Sequence, residues 1–316
     1  MRPMRRVPSS STRQPRPGEA GQVLVIFALA LIAIVAMTGL VLDGGSTFVQ
    51  RRDQQNVADA AALAAAYSYS TTGSTASATG AAQLIASDNG FTNGALNTTI
   101  DVSNAAGSPG WTFTVNVTRP HTNNFSGLLG MPSWNVTTTA TTLAGRPNAA
   151  IGALPIIFNK AAFDVNGAGA ASEVAFDEPP PGPEDVPKGP NQFNWTEFCN
   201  NCNADSNTVR DLIVNNANDH TLVKLTDHIS PLNAGSHTTL FDAMAAWVGH
   251  DFAVPIVDDN GIMVGFATFH VTGAVGGSTK QIRGYFVSPF NGGNLTIVNG
   301  AGAGGDFGSY TAQLIN

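Results

Sequence analysis

Residues 21–42 read GQVLVIFALALIAIVAMTGLVL, and the character of the whole chain follows from them. The stretch carries no charge, and Gln22 and Thr38 are its strongly polar side chains. As a helix rising about 1.5 Å per residue it would extend about 33 Å, close to the hydrocarbon core of a bilayer. A cleaved secretory signal has a shorter apolar core, about 7–15 residues, closed by a small-residue cleavage site. Here the nearest Ala-rich stretch, 60–66, lies beyond Arg51 and Arg52. A prepilin-type site would set a glycine before an acid a few residues into the apolar run. Gly18 and Glu19 instead stand ahead of the run, which is itself free of acid. The expectation is a retained single-pass anchor with ends at Gly21 and Leu42, and the lipid bilayer as its first partner.

Charge fixes the expected orientation. Residues 1–42 hold Arg2, Arg5, Arg6, Arg13 and Arg16 against Glu19, a net of +4. The remaining chain holds ten Lys/Arg and twenty-one Asp/Glu, a net of −11, and the two sum to −7. By the positive-inside rule, those five arginines place the N-terminus in the cytoplasm and residues 43–316 outside. The Pro/Ser/Arg-rich residues 1–20 are expected to be a disordered tail. An acidic, base-poor body argues against nucleic-acid binding, which needs Lys and Arg to displace counterions from phosphate.

Beyond Leu42 the pattern changes. Residues 46–68 are rich in Ala, Gln, Arg and Leu, and Val57, Ala60, Ala61 and Ala64 recur at helical spacing, so a helix is expected there. It could continue from the membrane helix through Gly44 and Gly45, or stand apart. Its small face could pack on its own domain or dock a partner. A short helix over 76–87, stopped by Asn89–Gly90, comes next. Strands are expected over 98–103, 111–118 and 134–143, with a helical turn at 125–131 between the last two.

This order of features resembles the TadE/TadG group of the Flp (tight-adherence) pilus assembly system. The resemblance rests on the apolar span followed by Asp43–Gly44, the Arg51–Arg52 couplet, and a Gln/Asn-rich helix running into ADAAALAAA. It is extended by AAQLIASDNG, by FSGLLGMPSWNVTTTATTLAG and by the proline-bearing ALPIIFN at 153–159. It covers roughly the first half of the chain. What it implies is a bacterial, membrane-anchored, pseudopilin-like or envelope protein with its body outside the cytoplasm and no enzymatic activity. Other pilus-assembly or envelope proteins would be its partners. The Asp–x–Ser–x–Ser motif of the von Willebrand A-type domain that some TadG-like proteins carry is absent from the sequence, as is the prepilin processing pattern.

The expected fold class is α+β: the transmembrane helix continuing into an Ala-rich helix, a small pilin-like α/β unit, then a β-rich C-terminal domain. The boundaries are a tail over 1–20, the span over 21–42, and the helix-plus-sheet unit over 43–147. A connecting segment with a proline-rich linker follows over 148–190, then the C-terminal domain over 191–316. In EPPPGPEDVPKGP, 178–190, the prolines remove backbone donors and fix φ, which excludes helix and central strand. Further on, helices are expected over 207–215 and 239–248. Strands are expected over 251–257, 262–272, 282–288 and 295–298, with a hairpin turn at Asp258–Gly261.

No catalytic, cofactor-binding or metal-ligating constellation stands out. GAGAGG at 300–305 fits a dinucleotide fingerprint formally, but too little chain follows for the required helix and acid. GGSTK at 276–280 has the phosphate-loop residues in the wrong order. His220, His228 and His237 lack ligand spacing, so they are expected in turns or on the surface, where replacing all three by Ala would leave the fold intact. Asp258, Asp259 and Asn260 could touch calcium or form a solvated turn. Cys199 and Cys202 supply two ligands where a structural zinc needs four, so a local disulfide is expected outside the cytoplasm. Three functions remain to be weighed. One is a structural pilus-assembly protein. Another is a tethered surface-binding module, adhesin-like, using Trp195, Trp247 or Phe290. The third is an anchored hydrolase, whose pocket would need a histidine and two acids. No small-molecule substrate is expected.

Overall fold

The computed structural model describes residues 19–179, 186–199, 204–232, 237–288, 290–291 and 294–315. Arg2, Arg5, Arg6, Arg13 and Arg16 lie outside these, as does Cys202. The fold class is α+β. One long apolar helix leads into a body of mixed sheets. By contact density the chain divides into two units, residues 1–53 with 119–136, and residues 54–118 with 137–316.

Helix α1, Glu19–Thr72, runs unbroken through Gly44 and Gly45. Among the described residues it is long and apolar enough to cross a membrane, and from Val23 to Leu42 its large apolar side chains are exposed. Gly21 and Leu42 both fall inside this helix, so neither marks a break in secondary structure. Helix α2, Thr75–Asp88, starts where the Ser74 hydroxyl accepts the Ser77 amide and stops at Asn89, before Gly90 at φ +84°. That is the left-handed stop its sequence predicts.

In the second unit, α1 packs its small face against the helix-plus-sheet core. Val57, Ala58, Ala61, Ala62, Ala65 and Ala66 are buried with Phe113, Val115 and Val117. The buried stripe is therefore one residue out of phase with the expected one, since Ala60 and Ala64 are only half-buried. The sheet is close enough for the Thr142 hydroxyl to donate to the Ala62 carbonyl at 2.9 Å. Gln54, fully buried, donates to the Val117 carbonyl at 2.9 Å. The helix thus docks on its own domain, one of the two expectations for it.

The first sheet contains β1 (Thr99–Ala106), β2 (Gly110–Thr122) and β3 (Ser133–Gly145). Four short pieces follow: β4 (Ala149–Ile151), β5 (Ile156–Asn159), helix α3 (Lys160–Asn166) and β6 (Val174–Asp177). Then come β7 (Phe193–Glu197), α4 (Ser206–Val214), β8 (Leu222–Lys224), β9 (Ser230–Pro231) and α5 (Thr238–Ala245). The C-terminal strands are β10 (Asp251–Val257), β11 (Met263–Val275), β12 (Gln281–Val287), β13 (Phe290–Asn291), β14 (Leu295–Thr296) and β15 (Ser309–Ile315). They form sheets ordered β1-β2-β3-β15-β13, β6-β12-β11-β10-β5-β7-β9 and β14-β4-β8.

The seven-stranded sheet carries the main core. Phe158 on β5 lies among Phe176, Phe193, Phe269 and Phe286, with ring centroids 4.8–6.5 Å apart in tilted and edge-on contacts. Trp195, one of the three aromatics a surface-binding module could use, is fully buried and packs edge-on against Phe193 and Phe241, so it is not available to such a surface. Alternation explains its burial. Phe193 and Trp195 are two apart on β7 and point to one face, which here is the core. Gly284 shows how closely β11 and β12 pair, because a Cβ there would stand 2.1 Å from the His270 carbonyl oxygen.

Candidate functional site: the Asp43 clasp

Asp43 follows the apolar run directly and is 1% exposed. A carboxylate in that state needs donors, because a buried charge without partners is costly. Its donors come from the segment after β2. Oδ1 accepts the Asn124 amide at 2.9 Å and Oδ2 accepts the Phe125 amide at 3.0 Å and the Ser126 amide at 2.6 Å. The chain at 124–126 turns its amides inward, and the carboxylate fills the anion-binding concavity they make. The Ser126 amide, helped by the Ser126 hydroxyl and the Asn124 and Phe125 amides, holds the Asp43 carboxyl below the usual carboxylate range, while burial pushes the other way.

The next turns of the helix extend the grip. His121 Nδ1 lies 2.7 Å from Gln50 Oε1 and Nε2 lies 3.0 Å from the Ser46 hydroxyl. Gln50 Nε2 donates to the Arg119 carbonyl at 3.2 Å, which leaves Oε1 as the acceptor and puts the ring proton on Nδ1. Trp134 Nε1 donates to the Thr47 hydroxyl at 3.0 Å, and its ring stacks on His121. On the span side, Phe125 occupies the space over Gly39, where a Cβ would stand 2.5 Å from the Phe125 Cβ. Asp43, Ser46, Thr47 and Gln50 thus form one polar stripe that holds residues 119–134 against the helix.

The sequence motif contains Asp43, but nothing in it signals the partners some eighty residues on. Other expected residues fall elsewhere. His220 and His228 are exposed, whereas His237 is buried. His237 Nδ1 bonds Glu178 Oε1, and Lys280 Nζ stands 3.6 Å from Glu178 Oε2. Glu178 and His237 side chains are only 4% and 6% exposed. The expected surface or turn placement is therefore corrected for His237, because a carboxylate inside the proline-rich segment meets it in the interior. His237→Ala would strand a buried carboxyl oxygen, a loss of about 1–3 kcal/mol. His220→Ala and His228→Ala should stay within about 0.5 kcal/mol. Urea unfolding of the three single variants checks this, and equal stabilities would refute it.

The Asp258–Gly261 turn closes on itself. Asp258 Oδ1 accepts the Asn260 and Ile262 amides at 2.9 Å each, and the Ile262 bond leads in holding its carboxyl low. Asp259 Oδ1 accepts from Asn159 Nδ2. Among the described residues no group of three His, Cys, Asp or Glu gathers as a metal set. Trp247 is half-buried with its indole N–H donated to the Ile213 carbonyl, and the Phe290 side chain lies outside the described residues. A cleft of about 440 Å³ opens instead beside Tyr69, Trp111, Arg146 and Tyr310. Arg146 pairs with Asp306 at 2.7 Å, and Tyr310 donates to the same carboxylate at 3.3 Å. Burial first, and then Asp306, raises the Tyr310 phenol above its ordinary range. No pattern in the sequence joins those residues.

Residues 21–68 match the family described as putative Flp pilus-assembly TadE/G-like. No curated protein and no solved structure matches the chain. The match begins with the apolar run, passes through Asp43 and ends within the Ala-rich half of α1.

Proposed function

We propose that the chain is a single-pass, membrane-anchored structural protein of Tad/Flp-type pilus assembly, with residues 43–316 outside the cytoplasm and no catalytic role. The observation that carries this is the family match over 21–68, which falls on the one continuous helix that contains both the apolar run and the docking face. A pilus-assembly role and a membrane anchor are what that family supports. The orientation is the further step, and it rests on the five N-terminal arginines. The partners would be other envelope or pilus-assembly proteins. The span over 21–42 belongs to the same proposal; the sheets cross the expected boundaries at 147 and 191, since β5 and β6 join the C-terminal strands and β15 joins β3. In a piliated host, deleting the chain should abolish surface pili. The full chain should restore them, and a form lacking 21–42 should not. Normal piliation without the chain would overturn the proposal.

One observation favours a second reading, the tethered surface-binding module. The Tyr69–Trp111 pair, with ring centroids 5.1 Å apart, borders the cleft that Arg146 and Tyr310 also line. Aromatic faces beside fixed polar groups suit small polar ligands. The Glu178–His237 pair gives the hydrolase reading no open pocket, since it is buried and its third member is a lysine rather than a second acid.

The Cys199–Cys202 bridge is part of the proposal. Cys199 follows β7, and its carbonyl accepts the Ser230 hydroxyl at 3.1 Å. No free cysteine occurs among the described residues. A bridge closing so short a loop would contribute roughly 2 kcal/mol. Denatured protein from the native envelope, isolated without reductant, should show no reactive thiol, and two would refute the bridge.

A further inference from the structure

We propose that residues 125–131 form a second membrane-contacting element, an apolar turn that enters the leaflet beside the span and lies against lipid acyl chains. This rests on the reading of α1 as a membrane anchor and adds to it a segment that no apolar run in the sequence marks. The 3₁₀ turn Ser126–Leu129 and its flanks hold Leu128 and Met131 out from the protein, 85% and 51% exposed, while Phe125 leans on Gly39 and is still 39% exposed. Side chains of this kind exposed together mark a contact surface.

Its occupant follows from where the turn sits. Between it and the helix runs an open apolar groove of about 580 Å³, whose helical wall includes Leu31, Val35 and Leu40. Leu40 is two residues before Leu42 and Leu31 eleven before it, so at about 1.5 Å per residue the groove reaches from roughly 3 Å to 16 Å inside the end of the apolar run. If α1 spans the bilayer, that depth is hydrocarbon. The groove is continuous with the lipid-facing surface of the span, and acyl chains are what surrounds it there.

The turn is built for such a place. From Thr122 to Gly145 the chain has no charged residue. Irregular backbone survives in hydrocarbon only when its polar groups are satisfied within the protein. Asp43 takes the Asn124, Phe125 and Ser126 amides. The Leu128, Gly130 and Met131 amides donate to the Phe125, Gly127 and Ser126 carbonyls at 3.0–3.2 Å. The same carboxylate that fixes the loop thus removes the donors that would keep it in water. Trp134, tied to Thr47 just beyond the apolar run, stands where interfacial tryptophans collect.

The test is depth measurement by spin labels in vesicles of phosphatidylcholine and phosphatidylglycerol. Leu128→Cys and Ala33→Cys are made separately in the full chain carrying Cys199→Ser and Cys202→Ser, and each is labelled with a nitroxide. Leu128 is exposed, so the change leaves packing undisturbed. Both labels should collide with oxygen and lose collisions with a water-soluble nickel complex. A label at 33 in lipid with a label at 128 in water would overturn the inference and leave the anchor standing. Both labels in water would remove the anchor and the inference together.

Discussion

Asp43→Ala should release the segment 119–134 from helix α1. The carboxylate takes three neighbouring backbone amides at once, and each would be left without its partner, the Ser126 amide in a buried position and the other two part-buried. Hydrogen bonds to a charged acceptor are the strong ones, and unpaired buried donors carry the full desolvation penalty. Asp43→Asn should fall between, because one amide oxygen can still accept while the amide nitrogen faces other donors. Hydrogen exchange at Asn124, Phe125 and Ser126 reads the result, with fast exchange in the Ala variant, and pilus assembly in a complemented host should fall with it. Undisturbed protection would remove the clasp from the account. Acid adds a second arm. The Asp43 carboxyl is held below its ordinary value, so the clasp contributes fully above the unfolded-state value and is lost as pH falls through the lower folded one. Protection should therefore persist from neutrality to about pH 4 and fail only in stronger acid. Failure near pH 6 would point to a different titrating group.

Phe158→Ala should have the largest effect on stability. The ring is fully buried, and four other phenylalanines surround it. Truncation removes its transfer energy and leaves a cavity, a cost of about 3–5 kcal/mol. At roughly 2–4 °C per kcal/mol for a domain of this size, the melting temperature should drop by about 6–20 °C. Phe158→Leu should lose much less, since most of the volume remains. Calorimetry of the three proteins checks the order, and a Phe158→Ala protein as stable as the parent would place the core elsewhere.

Local patterns carried much of this fold into the sequence. The span, the stop at Asn89–Gly90, the strand at 251–257 and the Asp258 turn are short-range signals, each set by hydropathy, a left-handed glycine or a side chain that caps its own turn. Long-range pairing was not legible. Strand β15 joins β3 in the first sheet, more than 160 residues away, and no local cue distinguishes that partner from the strands nearest in sequence. Nor could periodicity fix the phase of the Ala-rich helix, because alanine is nearly as acceptable exposed as buried, and the helical stripe shifted by one residue. The burial of Trp195 and His237 was not legible for a related reason. A side chain able to face either water or core takes the side its strand or loop dictates, and for His237 the decision lies with Glu178. The clasp was half legible: Asp43 stood in the family pattern, while its amide partners are backbone groups that any residues could supply.

The central claim is that α1 spans the membrane with the body beyond it, and protease protection in spheroplasts tests this most directly. With one epitope before residue 20 and another after Asn316, protease added outside should digest the body and its C-terminal epitope. A membrane-embedded fragment should survive with the N-terminal epitope intact. A C-terminal epitope that is protected in intact spheroplasts and cut only after lysis would put the body in the cytoplasm and contradict the account.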